Sequence, residues 1–513
     1  MTGFDRLYAP EMRQDITPED FRAGTPPRIM GKEFELRPSR DITADSLALE
    51  VSEQLAGPYV VSDKVRWHPS FSMHDEAGEH IEIRTPEALG PRELVIAGIV
   101  ARNTFVNILR KSLATKAPVH PGGEAPATVH FHAGSYDHRP QHSGSNSDRL
   151  QRRGFHLSMI TPEMSSEQRN DFLAITETYS VTASWAGAGM LGPEGFRLFQ
   201  KDGLAKKYNV NGVSDGSRRS FVVIHAAVNA ANDSVTKGWA RAERRVGDAI
   251  RSTYAEFADA AAMSLMARIV EHWDIFSLAE QLELGGVMVA NPAKSLSVVA
   301  KDLSLRKTLL CRDGRRRTAM DIQGILLQYT RKVAQKFDLP ADEEAGLDMW
   351  QNLVDITART KPLDGEVAEA ACLIHWAARL GYLMLKYDVP VEKLSGTDPQ
   401  QNSHSLGMDL LYPVDPMARF AERTSRGIII PAEVHDRVLD GPRGVRSEAR
   451  NSLLRRHADP DDPLTVEGIT WNSVRVMCLD TRNKPRRWEI ILKPYNSAVP
   501  DMQSWGGFNG NAW

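Results

Sequence analysis

The chain is poor in the features that usually announce a function. It has 3 cysteines in 513 residues, Cys311, Cys372 and Cys478, far apart and without a CxxC pair. A disulfide framework and a zinc ribbon are therefore excluded, and a reducing cytoplasm is the expected setting. Neither charge dominates: 63 Lys+Arg against 66 Asp+Glu leave a formal net charge of -3. So balanced a chain makes no electrostatic case for nucleic acid or an anionic membrane surface. No apolar run reaches the roughly 18 residues of a membrane span. The opening MTGFDRLYAPEMRQD lacks the apolar core of a secretory signal. Self-similarity at a repeat period is not evident. What is present is ordinary globular composition, 42% hydrophobic and 25% charged, in a chain long enough for more than one domain.

Patterning along the chain gives the coarse architecture. Residues 1–28, rich in proline and charge, are expected to wrap the surface as an N-terminal extension. RIMGKEFEL reads as a first strand, DSLALEVSEQLA as an amphipathic helix, GEHIEIRTPE as a second strand, and a helix follows from about Pro91 to Leu113. ATVHFHA, GFHLSMI and SFVVIHA are further strand candidates. From Val246 to about Glu283 the pattern turns helical, and helices are expected over TAMDIQGILLQYTRKVAQKF and GEVAEAACLIHWAARLGYLMLKY. Strands precede helices without strict alternation, which favours an α+β fold with an antiparallel or mixed sheet. The polar stretch LSGTDPQQNSHS suggests a boundary near residues 395–405, dividing 29–400 from a smaller region 401–513.

Two strands carry acids in a pattern that needs explaining. In MGKEFELR, period-two geometry sends Glu33 and Glu35 to one face and Phe34 and Leu36 to the other. In GEHIEIRTPE, His80, Glu82 and Arg84 share a face opposite Ile81 and Ile83, Glu87 follows, and Asp75 and Glu76 sit just upstream. Carboxylates crowded on one face repel unless something compensates them, and a divalent metal ion would do so. The plainer reading is a pair of solvated strand faces.

The same residues carry a family resemblance. IMGKEFEL resembles the Met-Gly and Glu-x-Glu opening of the Pup ligase and depupylase (Dop) family, relatives of glutamine synthetase. HIEIRTPE resembles that family's His-Pro-Glu-x-x-Thr-x-Glu, with His80, Glu82, Thr85 and Glu87 in register and Ile81 at the proline. In the same order, GFHLSM keeps His156 but has Leu157 at the following acid, WAGAGM keeps Gly187 to Gly189, and RLFQK has Lys201 at an arginine. RRRTAMDIQ keeps Arg315, Ala319, Asp321, Ile322 and Gln323, while MDLLY and GITWNSV have C-terminal counterparts.

The resemblance implies a curved, largely antiparallel glutamine synthetase-like sheet backed by helices. It assigns residues 29–400 to an ATP/Mg²⁺ catalytic domain, and 401–513 to a smaller domain with a flexible tail. It implies ATP and Mg²⁺ as cofactors. A carboxylate is activated as an acyl phosphate and attacked by an amine. The partners implied are a small, disordered Pup-like modifier and target-protein lysines, in the proteasome pathway, with no nucleic acid and no membrane. Glu33, Glu35, Glu82, Glu87 and His156 become the metal candidates, and Gly187, Lys201, Arg219 and Arg315 the nucleotide candidates. Glu76, Asp75 and Arg315 become the catalytic ones. The family places an essential Asp where the register gives Glu76, and an added methylene moves the carboxylate about 1.5 Å.

Other readings stand beside these. Gly187 and Gly189 also suit a tight turn, Arg315 a solvated helix start, and Asp321 a core-capping acid. His375 and Trp376 suit helix packing. Arg443, Arg446 and Arg450 suit either the modifier's acids or a solvated helix face. The family also contains depupylases and deamidases, which hydrolyse the same bond with ATP as a cofactor. A divergent ligase for a peptide or metabolite and a non-catalytic modifier-binding adaptor are two more alternatives. His130, His132, His138, His142 and His156 leave a zinc metallohydrolase as the rival from another class.

Overall fold

A computed structural model describes residues 26–38, 60–62, 65–68, 71–76, 80–115, 131–132, 155–162, 164–183, 190–192, 195–197, 222–225, 239–246, 253–299, 306–359, 446–469, 473–479 and 482–492. In chain order the first elements are β1 (Ile29–Pro38), β2 (Val60–Ser62), β3 (Val65–His68), β4 (Phe71–Glu76), β5 (His80–Arg84), β6 (Ala88–Leu89) and α1 (Gly90–Thr115). Then come β7 (Phe131–His132), β8 (Phe155–Pro162), α2 (Ser166–Thr182), β9 (Met190–Gly192), β10 (Gly195–Arg197), β11 (Val222–His225) and β12 (Trp239–Val246). Helices α3 (Thr253–Glu271), α4 (Leu278–Val287) and α5 (Pro292–Val299) precede the hairpin β13 (Thr308–Leu310) and β14 (Arg316–Thr318). The remainder is α6 (Ala319–Lys336), α7 (Ala341–Arg359), α8 (Arg446–Ala458), β15 (Thr465–Ile469), β16 (Ser473–Leu479) and β17 (Pro485–Ile491). The helices expected over DSLALEVSEQLA and GEVAEAACLIHW lie outside the described residues.

The chain divides into two compact units, each built from separated stretches. One comprises Met1–Leu7, His132–Ala226 and Trp239–Ile428, and the other Tyr8–Phe131, Ala227–Gly238 and Ile429–Trp513. Composition suggests a break near 401, whereas here the C-terminal stretch joins the N-terminal strands.

In the second unit, strands run in the order β1-β5-β4-β3-β2, antiparallel at every step. Alternation gives this sheet one apolar face, where Met73 and Ile83 are buried and Phe71 meets Phe105 of α1 edge-on at 6.3 Å. Helix α1 is buried around its whole circumference from Gly90 to Ala101, as its apolar run ELVIAGIVA requires. Helix α8 and the sheet β15-β16-β17 form a second core, in which Leu453, Leu454, Val466, Val474, Val476 and Leu492 enclose Trp67 of β3. That shared core is why the C-terminal stretch groups with the N-terminal strands.

The first unit holds the antiparallel strands β11-β12-β8 and most of the helices. The stretch from Val246 to about Glu283, expected as a single helix, is not one helix. Trp239–Val246 is a strand, α3 ends at Glu271, and α4 starts afresh at Leu278. The restart is a capping box: Ser277 Oγ accepts from the Glu280 N–H at 3.4 Å while Glu280 Oε2 accepts from the Ser277 N–H at 2.9 Å. The S-L-A-E signal stands in the sequence inside an otherwise continuous helical period.

Several buried polar groups in this helical core are paired. Arg268 of α3 donates to both oxygens of Glu343 of α7, at 2.5 and 2.7 Å, and Ser264 adds a third bond at 2.7 Å. Gln323 of α6 donates to Thr182 Oγ1 at 2.5 Å and accepts from Trp350 Nε1 at 2.7 Å. Helices α3 and α7 come close enough that a Cβ on Gly346 would stand 2.1 Å from the Ala261 Cβ. Gly346→Ala is therefore expected to destabilise the unit by about 1–3 kcal/mol through overpacking. Denaturant unfolding should read this as an earlier midpoint at unchanged slope, and Ala261→Gly in the same chain should recover much of the loss.

Candidate active site

Backbone register decides which acids share a face. Across β1, β5, β4 and β3, one row runs Glu33, Arg84, Ser72, Trp67, and a second runs Glu35, Glu82, His74, Val65. Glu76 stands opposite His80 in the same alternating set. The intervening set is Phe34, Ile83, Met73 and then Leu36, Ile81, Asp75. Successive residues of a strand point to opposite faces. Position 76 therefore falls with Glu33, Glu35 and Glu82, and position 75 with the apolar set.

The acidic face is occupied by an arginine. Arg84 Nε lies 2.5 Å from Glu82 Oε1 and 3.3 Å from Glu33 Oε1. Glu82 is nearly sealed from solvent, with 3% of its side chain exposed, against 14% for Glu33 and 17% for Arg84. Pairing of this kind offsets part of the cost of taking carboxylates out of water.

Just beyond β5, Glu87 is held from another direction. Its Oε1 accepts from Arg446 Nε at 2.7 Å and its Oε2 from Arg450 Nη2, both on α8. Arg450 also lies over the Trp67 ring, 5.3 Å from its centroid, in cation–π geometry. Burial on its own would raise the Glu87 carboxyl, but the charges of Arg450 and Arg446 hold it below its ordinary value of 4.5. Helix α8 is thus bolted to the end of the acidic strand, and Arg446 and Arg450 form neither a solvated helix face nor a free anion site.

The other expected site residues stand on other elements. His156 is buried on β8 opposite Arg245, and Leu157 is buried beside it. Arg315 sits at the tip of the β13–β14 hairpin with 79% of its side chain exposed, 4.0 Å from Asp313. Asp-Gly makes that turn, with Gly314 at φ 78. Asp313 is held down to about 2, chiefly by its hydrogen bonds from Arg317 at 2.9 and 2.7 Å. Asp321 is not a core acid: it is exposed and caps α6 in a box with Thr318. Gly187, Lys201, Arg219, His130, His138, His142, His375 and Trp376 lie outside the described residues, as do MDLLY and Trp471.

Among the described residues no three His, Cys, Asp or Glu side chains converge as a metal-ion site. Glu33 and Glu82 both receive Arg84, and Glu87 receives Arg446 and Arg450. As they stand, these three carboxylates do not fit a resident divalent ion, and Glu87 is a tether rather than the metal ligand expected. Glu35 is placed by register alone. Alternation in HIEIR places Arg84 on the acidic face. Its pairing with an acid of another strand, and the reach of α8 across more than 350 residues to Glu87, leave no local signal.

An antiparallel sheet with one acidic face, backed by helices, is an α+β architecture shared with solved Pup ligases. The protein is similar to the ligase PafA in its complex with the prokaryotic ubiquitin-like protein Pup, with a TM-score of 0.67 and 17% identity, over 92% of this chain and 90% of that one. It is also similar to PafA in complex with ADP, with a TM-score of 0.63 and 15% identity, over 90% of this chain and 92% of that one. The sequence model of the Pup-ligase protein family matches residues 71–475, and the chain belongs to that family.

In sequence, the chain is 28% identical to a Pup–protein ligase of Acidimicrobium ferrooxidans, over 50% of this chain and 53% of the relative. It is 24% identical to a Pup deamidase/depupylase of Mycolicibacterium smegmatis, over 45% of this chain and 42% of that protein. The matched stretch spans about half the length of these relatives. No described helix is long and apolar enough to cross a membrane.

Removing Glu87 strands two buried guanidinium groups. Glu87→Ala is expected to cost about 3–5 kcal/mol of stability. Because the folded carboxyl lies below its ordinary 4.5, the clamp contributes fully above that pH and is lost as pH falls towards the folded value. Unfolding measured from neutral into acid should therefore show a steep acid limb that Glu87→Gln flattens.

Proposed function

We propose that the protein is an ATP-dependent ligase that joins the C-terminal glutamate of a small Pup-like modifier to a lysine on a target protein. The observation carrying this reading is the family match, which opens at Phe71 and takes in both β4 and β5 of the acidic face. In the proposed reaction, ATP passes its γ-phosphoryl group to the modifier's carboxylate and ADP is released. The lysine nitrogen then attacks the acyl carbon, and phosphate leaves as the isopeptide bond forms. Mg²⁺ is the counter-ion expected to travel with ATP, but Glu33, Glu82 and Glu87 are given no part in holding it. The setting proposed is the cytoplasm, within the proteasome pathway.

The lysine amine is protonated at neutral pH and must lose a proton before attack. We give that task to Glu76 rather than to Asp75, a reading supported by the backbone register, in which position 76 alternates with Glu82 and position 75 pairs with Ile81. Arg315, exposed on its hairpin, and Lys201, Arg219 and Gly187 are proposed for nucleotide phosphates, where fixed cations and close backbone approach suit an anion. The likeness to a deamidase/depupylase supports a second reading, hydrolysis of the same bond at the same face with ATP retained.

Incubation with ATP, Mg²⁺ and a modifier ending in Gly-Gly-Glu separates the two. ADP release with a heavier conjugate band is the expected outcome, whereas cleavage of a preformed conjugate without stoichiometric ADP release would move the reading to hydrolysis. Glu76→Gln should lower conjugation by about 100-fold or more, the scale of a lost general base. Asp75→Asn should stay within about 10-fold of wild type, and the reverse order would place the base at Asp75.

A further inference from the structure

The disagreement between the acidic face and a resident metal ion centres on Arg84. Position 84 is one of the three that the pattern His-Pro-Glu-x-x-Thr-x-Glu leaves open, so the family pattern does not call for a cation there. In this chain the position holds arginine, directly opposite Glu33 on β1 and two residues from Glu82 on the same face. Its guanidinium reaches both carboxylates, at 3.3 and 2.5 Å. A divalent ion in this place would need those oxygens for itself, in a shell of several oxygen ligands. A guanidinium differs from such an ion in three ways. It is covalently attached, it keeps its charge at every pH the protein meets, and chelators do not remove it.

We infer that Arg84 is a built-in cation that takes the place of one divalent metal ion on the acidic face, with Glu33 and Glu82 as its cradle. It is a positioning residue: it keeps the two carboxylates together whether or not metal is present. The inference rests on the acidic face being the working face of the proposed ligase, but ion binding can be read without any ligase reaction.

The test counts Mn²⁺ bound per chain, from the electron paramagnetic resonance of free Mn²⁺, without nucleotide or modifier. Arg84→Gln should bind one more Mn²⁺ than wild type, and Arg84→Lys should match wild type. Adding Glu33→Gln to Arg84→Gln should abolish the extra ion, while Glu33→Gln alone should leave the wild-type count unchanged. Equal counts in wild type and Arg84→Gln would overturn the inference. So would a lower count in Glu33→Gln alone, and that arm decides the matter even if Arg84→Gln does not fold. Absence of conjugate in the ligase assay would sink the proposed function and leave this count standing.

Discussion

The antiparallel register of β1, β5 and β4 is the constraint on which the rest of the site depends. It sets Glu35 beside Glu82, Glu33 beside Arg84, and Glu76 beside His80, all in one alternating set. The opposite face is committed to α1 through Phe71, Met73 and Ile83, so a slip of one residue would turn the carboxylates into the core. Once the apolar face is fixed, the acids have nowhere else to go. Cations must come to them.

Those cations arrive from two directions. Arg84 comes from within the sheet and serves Glu33 and Glu82. Arg446 and Arg450 come from α8 and serve Glu87, while Arg450 also covers Trp67. The second arrangement does architectural work, because it ties the C-terminal helix to the segment that follows β5. It also removes Glu87 from the set of residues open to a ligand. An ion-paired acid between two buried guanidinium groups is costly to break but makes a poor metal ligand.

Much of the fold was legible in the sequence. Period-two alternation in KEFEL and HIEIR predicted β1 and β5, and β8, β11, α1 and α6 fall where the pattern put them. Strands β2, β3 and β4 were not foreseen, because they are short and lie in a stretch without clean alternation. The break between α3 and α4 was hidden because apolar periodicity continues across it. There the local Ser277–Glu280 cap prevailed over the longer pattern.

The family and the two acidic strands could be read from the sequence, because these depend on motif order and local backbone period. Tertiary structure decided what neutralises each acid. Arg84 could be seen to share a face with Glu82, but only strand pairing brings it to Glu33. Arg446 and Arg450 lie more than 350 residues from Glu87, and only the packing of α8 against Trp67 and the C-terminal sheet delivers them. Charge compensation acts over a few ångströms of space and takes no account of distance along the chain.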